Sequence, residues 1–170
     1  LINQAAGEWP STLQERAESC ISLAEQLSEF TSTQRAPYSA VTKLMWFRHP
    51  NSWTVFDSYA AQALGIRPGP RTGERLKRFY QELHHRGFDE AIAAVDDVLQ
   101  GTIWHDINAA RIIDSWLMLS GGFPFLLGDE HARNGFIEAL PGDSGKVLEV
   151  LAERIASALL STRFIQSTAG

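Results

Sequence analysis

Hydrophobic positions recur at helical spacing along most of this chain. Apolar residues three and four positions apart predict a first amphipathic helix from Ser11 to about Phe30. Its apolar positions are Leu13, Ala17, Ile21, Ala24 and Leu27. A second, shorter helix is predicted to begin near Pro37 and to end by about Phe47, since His49-Pro50-Asn51-Ser52 follows and the residue before a proline disfavours helix.

The later elements are predicted from capping residues and helix breakers. Asp57 is the expected N-cap of a helix over 58–64 that ends at Gly65, and Pro68-Gly69-Pro70 makes a linker. Asp89 and Asp106 are the expected caps of two further helices, which end near Gly101 and Gly121. The remaining predicted helices are 72–85, rich in arginine, and 144–164, whereas Thr54-Val55-Phe56 is a brief extended piece.

We therefore expect an all-α fold in which residues 1–170 form a single compact helical domain of seven or eight helices. The helix after Asp106 is predicted to run through Ile107, Arg111, Ile112, Trp116 and Leu119. A chain of 170 residues with 44% hydrophobic and 21% charged residues has the composition of an ordinary globular domain.

Composition also limits the class and location of the protein. The single cysteine, Cys20, lies in an amphipathic segment and is expected to be a small buried side chain in a reducing, cytoplasmic compartment. No apolar run is long enough to span a membrane, and the first twenty residues hold Glu8, Glu15 and Glu18, which do not resemble a signal peptide. No histidine or cysteine cluster has metal-ligand spacing, so we expect no metal. We also expect no cofactor, and a monomer without an obligate protein partner.

The charges are unevenly distributed. Eight cations and three acids between Lys43 and Arg86 give that segment a charge of +5 in a chain of net charge −5, which leaves −10 elsewhere. A positive face on an acidic body is typical of proteins that bind a phosphate backbone, although these arginines could equally form a solvated helix surface. The candidate DNA-binding residues are Arg48, Arg67, Arg71, Arg75, Lys77 and Arg78.

One lysine and one aspartate stand out in this segment. Lys43 lies in Thr42-Lys43-Leu44-Met45-Trp46-Phe47, and Asp57 follows fourteen positions later in Val55-Phe56-Asp57-Ser58-Tyr59. An amine and a carboxylate set among aromatic residues can attack or stabilise the anomeric carbon of a nucleoside whose base has left the stack. These residues predict a DNA glycosylase.

The same two motifs resemble the helix-hairpin-helix glycosylase superfamily. More closely, they are similar to compact bacterial proteins with an 8-oxoguanine-glycosylase-like fold, and the resemblance spans about residues 37–65. It implies that Lys43 and Asp57 do the chemistry, and that the substrate is an oxidised purine or, as in phage-defence glycosylases, glucosylated hydroxymethylcytosine. The glycines of the superfamily's hairpin are absent, because this chain has Tyr38-Ser39-Ala40-Val41 there.

The roles of the two residues leave alternatives open. Asp57 is expected to stabilise the positive charge that develops on the sugar or to activate a water, but an aspartate at this position could also serve only as a helix cap. Lys43 is expected to be a Schiff-base nucleophile if Leu44, Trp46 and Phe47 desolvate it. Otherwise it holds a phosphate or pairs with Asp57.

Aromatic and polar side chains complete the predicted site. The residues expected to form a base or sugar pocket are Trp46, Trp53, Tyr59, Trp104, Asn108 and Arg111. Aromatic faces stack on flipped bases, and they also suit sugar rings, although most aromatic residues of any chain belong to the core. The alternative function is a non-catalytic helical module that binds DNA or a protein partner.

Overall fold

A computed structural model describes residues 10–32, 36–69, 72–122 and 144–166. This part of the chain contains eight α-helices and no β-strand, as predicted. In chain order the helices are α1 Leu13–Thr31, α2 Tyr38–Arg48, α3 Ser58–Ala63, α4 Gly73–His85, α5 Phe88–Leu99, α6 Ala109–Ser120, α7 Ser144–Ser161 and α8 Arg163–Gln166. A short 3-10 helix, Pro50–Ser52, follows α2. None of these helices combines the length and apolar character that a membrane span requires.

Side-chain caps begin four of the described helices. At α1, the Thr12 hydroxyl accepts a hydrogen bond from the Glu15 amide at 3.2 Å. The Glu15 carboxylate in turn accepts one from the Thr12 amide, and the two bonds together make a capping box. Asp57 caps α3 as predicted, and Thr72 caps α4. Since each bond spans two or three residues, the sequence around each cap is sufficient to start its helix.

Two predicted caps are wrong. The N-cap of α5 is Gly87, whose φ of +78° suits glycine, and Asp89 lies inside the first turn of the helix. The N-cap of α6 is Asn108, which accepts a hydrogen bond from the Arg111 amide at 3.1 Å, while Asp106 lies in the preceding turn. Gly87 has no capping side chain, whereas the turn before α6 offers both Asp106 and Asn108. The last helix also differs, because α7 ends at Ser161 and α8 continues separately.

One hydrophobic core joins the described helices. Helix α1 packs on α4 and α2, α3 packs on α6, and α5 lies between α6 and α7. Cys20 is fully buried on α1, which confirms the expectation of a small buried side chain, and this burial raises the pKa of its thiol to about 12.

Candidate active site

A buried threonine links the helix of Lys43 to the segment that ends in Asp57. The Thr42 hydroxyl accepts a hydrogen bond from the Phe56 amide at 3.3 Å, and the Trp53 indole N–H donates to the Thr42 carbonyl at 3.1 Å. Both bonds are buried. They hold residues 53–57 against α2, so that the immediate neighbours of Lys43 and Asp57 are in contact.

Asp57 combines partial burial with a fixed orientation. Its Oδ1 accepts a hydrogen bond from the Tyr59 amide at 2.7 Å, and its side chain is neither fully exposed nor enclosed. The cap uses one carboxylate oxygen. The second oxygen is therefore the one that can act on a ligand.

A second aspartate, which the sequence analysis did not single out, lies in the same region. Asp114 of α6 is 1% exposed, and its Oδ1 accepts a hydrogen bond from the Thr54 hydroxyl at 2.7 Å. Its Oδ2 accepts one from Arg111 Nη1. Burial raises the pKa of Asp114, although the hydrogen bonds from Thr54 and Arg111 and the positive charge of Arg111 oppose that shift; the negative charge of Asp57 adds to it. The two carboxylates are therefore close enough to interact electrostatically.

The signal for Asp114 was present in the helical pattern. The buried face of α6 consists of Ala109, Ala110, Ile113, Asp114 and Leu117. This face is not the one that the sequence analysis traced through Arg111, Ile112 and Trp116. Apolar residues occur on both sides of α6, so periodicity alone does not choose between them. The sequence signal for Asp114 is that this carboxylate lies at helical spacing from the apolar residues Ala110 and Leu117.

Arg111 stacks on the Trp46 ring beside this polar cluster, and we refer to these two side chains as the plate of Trp46 and Arg111. The Arg111 guanidinium carbon lies 5.7 Å from the centre of the Trp46 ring, an arrangement in which a cation interacts with an aromatic face. One Arg111 nitrogen donates to Asp114, and half of the side chain is exposed to solvent. The predicted pocket residues Trp46 and Arg111 are thus brought together by α2 and α6.

Three other predicted pocket residues have different surroundings. Trp53 is 0% exposed and stacks on Tyr80 with ring centres 4.1 Å apart, so it belongs to the core and offers no face to a base. Asn108 uses its carbonyl oxygen as the cap of α6 and donates from its amide nitrogen to Asn51 at 2.7 Å. Both of its functional groups are therefore engaged within the protein. Trp104 is half-buried in the turn before α6.

Tyr59 is half-buried on α3, and its backbone closely approaches the end of α6. A Cβ atom on Gly121 would lie 1.8 Å from the Tyr59 carbonyl oxygen. This contact places the first turn of α3 against α6. The Tyr59–Gly121 contact thus holds the start of α3, which Asp57 caps, against the helix that carries Asp114.

Lys43 does not have the enclosure expected of a lysine nucleophile. Its side chain is exposed, as are those of Leu44, at 49%, and Phe47, at 75%. Two of the three side chains expected to desolvate it therefore point to solvent. Among the described residues no ion pair joins Lys43 to Asp57, so the alternative in which Lys43 pairs with Asp57 is not formed in this structure.

The predicted basic residues are only partly available to a ligand. Arg48, Arg67 and Arg78 are exposed. Arg75 donates to the Gly69 carbonyl at 2.8 Å and covers the Phe56 ring, and Lys77 lies 3.7 Å from Glu18. Arg71 lies outside the described residues. Internal contacts therefore account for part of the positive charge in this segment.

A cavity of about 460 Å³ lies between α1 and α4, away from the plate of Trp46 and Arg111. Its lining is Glu18, Ile21, Ser22, Glu25, Gly73, Glu74 and Lys77. Three of these seven residues are acidic and one is basic, so the cavity disfavours a phosphate backbone. Within residues that the structure describes, no group of histidine, cysteine or acidic side chains has the geometry of a metal site.

The candidate site therefore consists of Asp57, the hydrogen-bonded chain from Thr54 through Asp114 to Arg111, and the Trp46 face. Both carboxylates, the cation and the aromatic ring come from three different segments: α2, the 53–57 segment and α6. Comparison with protein-family models, curated proteins and solved structures finds no significant match to this chain.

Proposed function

We propose that this protein is a DNA glycosylase that breaks the N-glycosidic bond of a modified or damaged base, with Asp57 as the catalytic carboxylate. The observation that carries the proposal is the position of Asp57: half-buried, oriented by the Tyr59 amide, and three residues after Thr54, whose hydroxyl bonds Asp114. The resemblance of the Lys43 and Asp57 motifs to glycosylases supports the same reaction.

The two aspartates support different roles. Both oxygens of Asp114 accept hydrogen bonds and the side chain is buried, so Asp114 cannot reach a substrate. Asp57 keeps one oxygen outside its capping bond. When the glycosidic bond breaks, positive charge develops on the sugar, and a fixed carboxylate stabilises that charge or takes a proton from the attacking water.

Arg111 and Trp46 are suited to the nucleotide itself. The guanidinium has N–H donors besides the one that bonds Asp114, and half of its side chain is exposed. A flipped base that lies at this plate would gain stacking and hydrogen bonds together. The substrate classes that we propose are glucosylated hydroxymethylcytosine and oxidised purines.

The exposure of Lys43 favours hydrolysis over strand cleavage. A lysine attacks the sugar only when it is neutral, and desolvation is the usual means of making it so. Since Lys43 is exposed, we propose that Asp57 activates a water and that Lys43 contacts a phosphate. Borohydride would then trap no covalent protein–DNA adduct, whereas a trapped adduct that disappears in Lys43→Gln would show that Lys43 is the nucleophile.

The decisive experiment is the substitution Asp57→Asn. Asparagine caps helices about as well as aspartate, so α3 is expected to stay intact while the charge is lost. We expect base release from glucosylated phage DNA or from oxidised duplexes to fall at least ~100-fold, the usual effect of removing a positioned acid or base. Mass spectrometry of the released bases measures the loss and identifies the substrate.

The matched control is Asp106→Asn, since the Asp106 side chain is 93% exposed in the turn before α6. This variant is expected to keep wild-type turnover. Equal turnover of Asp57→Asn and the wild type would contradict the catalytic assignment. A wild-type protein that binds DNA but releases no base from any of these substrates would instead support the non-catalytic DNA-binding module.

A further inference from the structure

The solvent-facing side of α2 has an unusual composition. It consists of Ala40, Lys43, Leu44, Phe47 and Arg48, which lie within about 140° of the helix circumference at 100° per residue. Val41, Thr42 and Met45 occupy the buried side. Phe47 is 75% exposed and Leu44 is 49% exposed, so two large apolar side chains and two cations share one surface. We refer to these five residues as the α2 face.

A large exposed phenylalanine is informative because burial would stabilise it. Full burial of such a side chain is favourable, and solvent-facing helix positions usually carry polar residues. The Phe47 ring packs edge-on against Trp46, with ring centres 5.0 Å apart, and the rest of it faces solvent. Together with Leu44 it forms an exposed apolar patch beside two cations, a surface that a partner with aromatic groups can cover.

The charge around the α2 face selects the kind of partner. The face carries Lys43 and Arg48 and no acidic residue. At its C-terminal end, the pKa of His49 is lowered by burial and by the positive charges of Arg48 and Arg16. Arg16 is held there by hydrogen bonds to the Pro10 and Ser52 carbonyls. This end of α2 is therefore locally positive in a chain of net charge −5.

The α2 face also adjoins the proposed site. Trp46 lies between Phe47 and Arg111, in contact with both. A ligand that covers Phe47 would therefore extend to the plate of Trp46 and Arg111.

We propose that the α2 face docks duplex DNA, with Phe47 stacking on or inserting between bases beside the target nucleotide and with Lys43 and Arg48 on the phosphates. The inference rests on the proposed function for its substrate, but DNA binding itself can be tested without catalysis. Apolar wedges of this kind open base steps, and an aromatic face stacks on any base. Stacking on the bases would bury the exposed Phe47 ring, and the phosphates would pair with Lys43 and Arg48.

The chain offers a closely matched control for Phe47. Phe30 of α1 is 76% exposed and lies on another helix. Phe47→Ala and Phe30→Ala therefore remove the same exposed side chain at two places, and neither is expected to unfold the protein. We would measure the affinity of each variant for a short duplex that contains an abasic-site analogue, by fluorescence anisotropy.

The expected result is a loss of about tenfold in affinity for Phe47→Ala and no measurable loss for Phe30→Ala, since one stacked base contributes about this much. With 2-aminopurine next to the abasic analogue, the wild type should increase its fluorescence by unstacking it, and Phe47→Ala should not. Arg48→Gln should reduce the log–log salt slope by about one, while Arg154→Gln on the exposed surface of α7 should not.

Equal affinities of Phe47→Ala and Phe30→Ala would overturn the proposal. So would a protein that self-associates through Phe47, seen as dimers that Phe47→Ala abolishes while its DNA affinity stays at the wild-type value. The outcome is separable from the catalytic assignment. A chain that loses DNA affinity in Phe47→Ala but keeps full turnover in Asp57→Asn would support the docking surface and contradict the role of Asp57.

Discussion

At the scale of single residues, Asp57 and Asp114 belong to one cluster but have different surroundings, which give the two carboxylates different roles. Asp57 is oriented by one backbone amide and stays partly exposed, whereas Asp114 is buried with hydrogen bonds from Thr54 and Arg111. Asp114 also fixes Arg111 over Trp46 and neutralises its charge beside the site. Without that neutralisation, the cation would oppose the positive charge that develops on the sugar.

The titration of Asp114 gives a prediction for stability against pH. Because burial raises its pKa above the ordinary 3.8, the folded protein holds this proton more tightly than the unfolded chain does. The contribution of Asp114 to stability is therefore fully present below the unfolded pKa and is lost as pH rises through the folded pKa. Asp114→Asn removes this titration and keeps the shape of the side chain.

We therefore expect the unfolding free energy of Asp114→Asn, minus that of the wild type, to increase as pH rises from the ordinary carboxyl pKa through the raised value. Urea unfolding of both proteins from about pH 3 to pH 7 covers this window. Titrating groups that do not interact with Asp114 act equally in both proteins and cancel in the difference. A difference that stays constant with pH would show that Asp114 is not buried as a titrating carboxyl group.

At the scale of elements, the contact between α3 and α6 holds the candidate site together. It brings Asp57, at the start of α3, to the helix that carries Arg111 and Asp114. Gly121 at the end of α6 is required for this approach, because its missing side chain leaves room for the Tyr59 carbonyl. Its φ of −82° is ordinary, so the requirement is for space and not for backbone conformation.

Gly121→Ala is therefore expected to destabilise the protein by about 3 kcal/mol, since the new methyl group meets backbone that must shift. Thermal or urea unfolding measures the loss. Gly69→Ala is the control, because a Cβ there meets nothing within 4 Å of it and no left-handed backbone is involved. If the two variants were equally stable, α3 and α6 would not be packed as closely as described.

At the scale of the whole molecule, the positive segment divides between two surfaces. The α2 face exposes Lys43 and Arg48, while Arg67 and Arg78 are exposed around α4. The α4 surface adjoins the acidic cavity lined by Glu18, Glu25 and Glu74, which disfavours a polyanion. The α2 face has no such acidic border among its own residues.

The double variant Lys43→Gln, Arg48→Gln is accordingly expected to reduce the log–log salt slope of DNA binding by roughly one to two. Arg67→Gln with Arg78→Gln should change the slope by less, although it removes the same charge. Titrations of one duplex at several salt concentrations compare the two pairs. The reverse order would place the DNA along α4, as the charge distribution in the sequence first indicated.

Local interactions decided what could be predicted from the sequence. The helical class, the cap Asp57 and the burial of Cys20 follow from hydrogen bonds within a few residues and from apolar spacing. The pairing of the Lys43 and Asp57 segments was also visible, since both lie within one run of chain. These features depend on contacts that a short window of sequence contains.

Tertiary packing decided the rest of the site. The bond from Thr54 to Asp114 joins residues 60 positions apart, and it exists only because α6 turns one of its two apolar faces toward α3. The same choice buries Asp114 and leaves Arg111 over Trp46, while the packing of Trp53 on Tyr80 removes it from the predicted pocket. The sequence by itself determined the helices and the catalytic candidates. The packing of the helices decided which side chains are buried and so what chemical environment each one has. That packing depends on contacts between distant parts of the chain, which a short window of sequence does not contain.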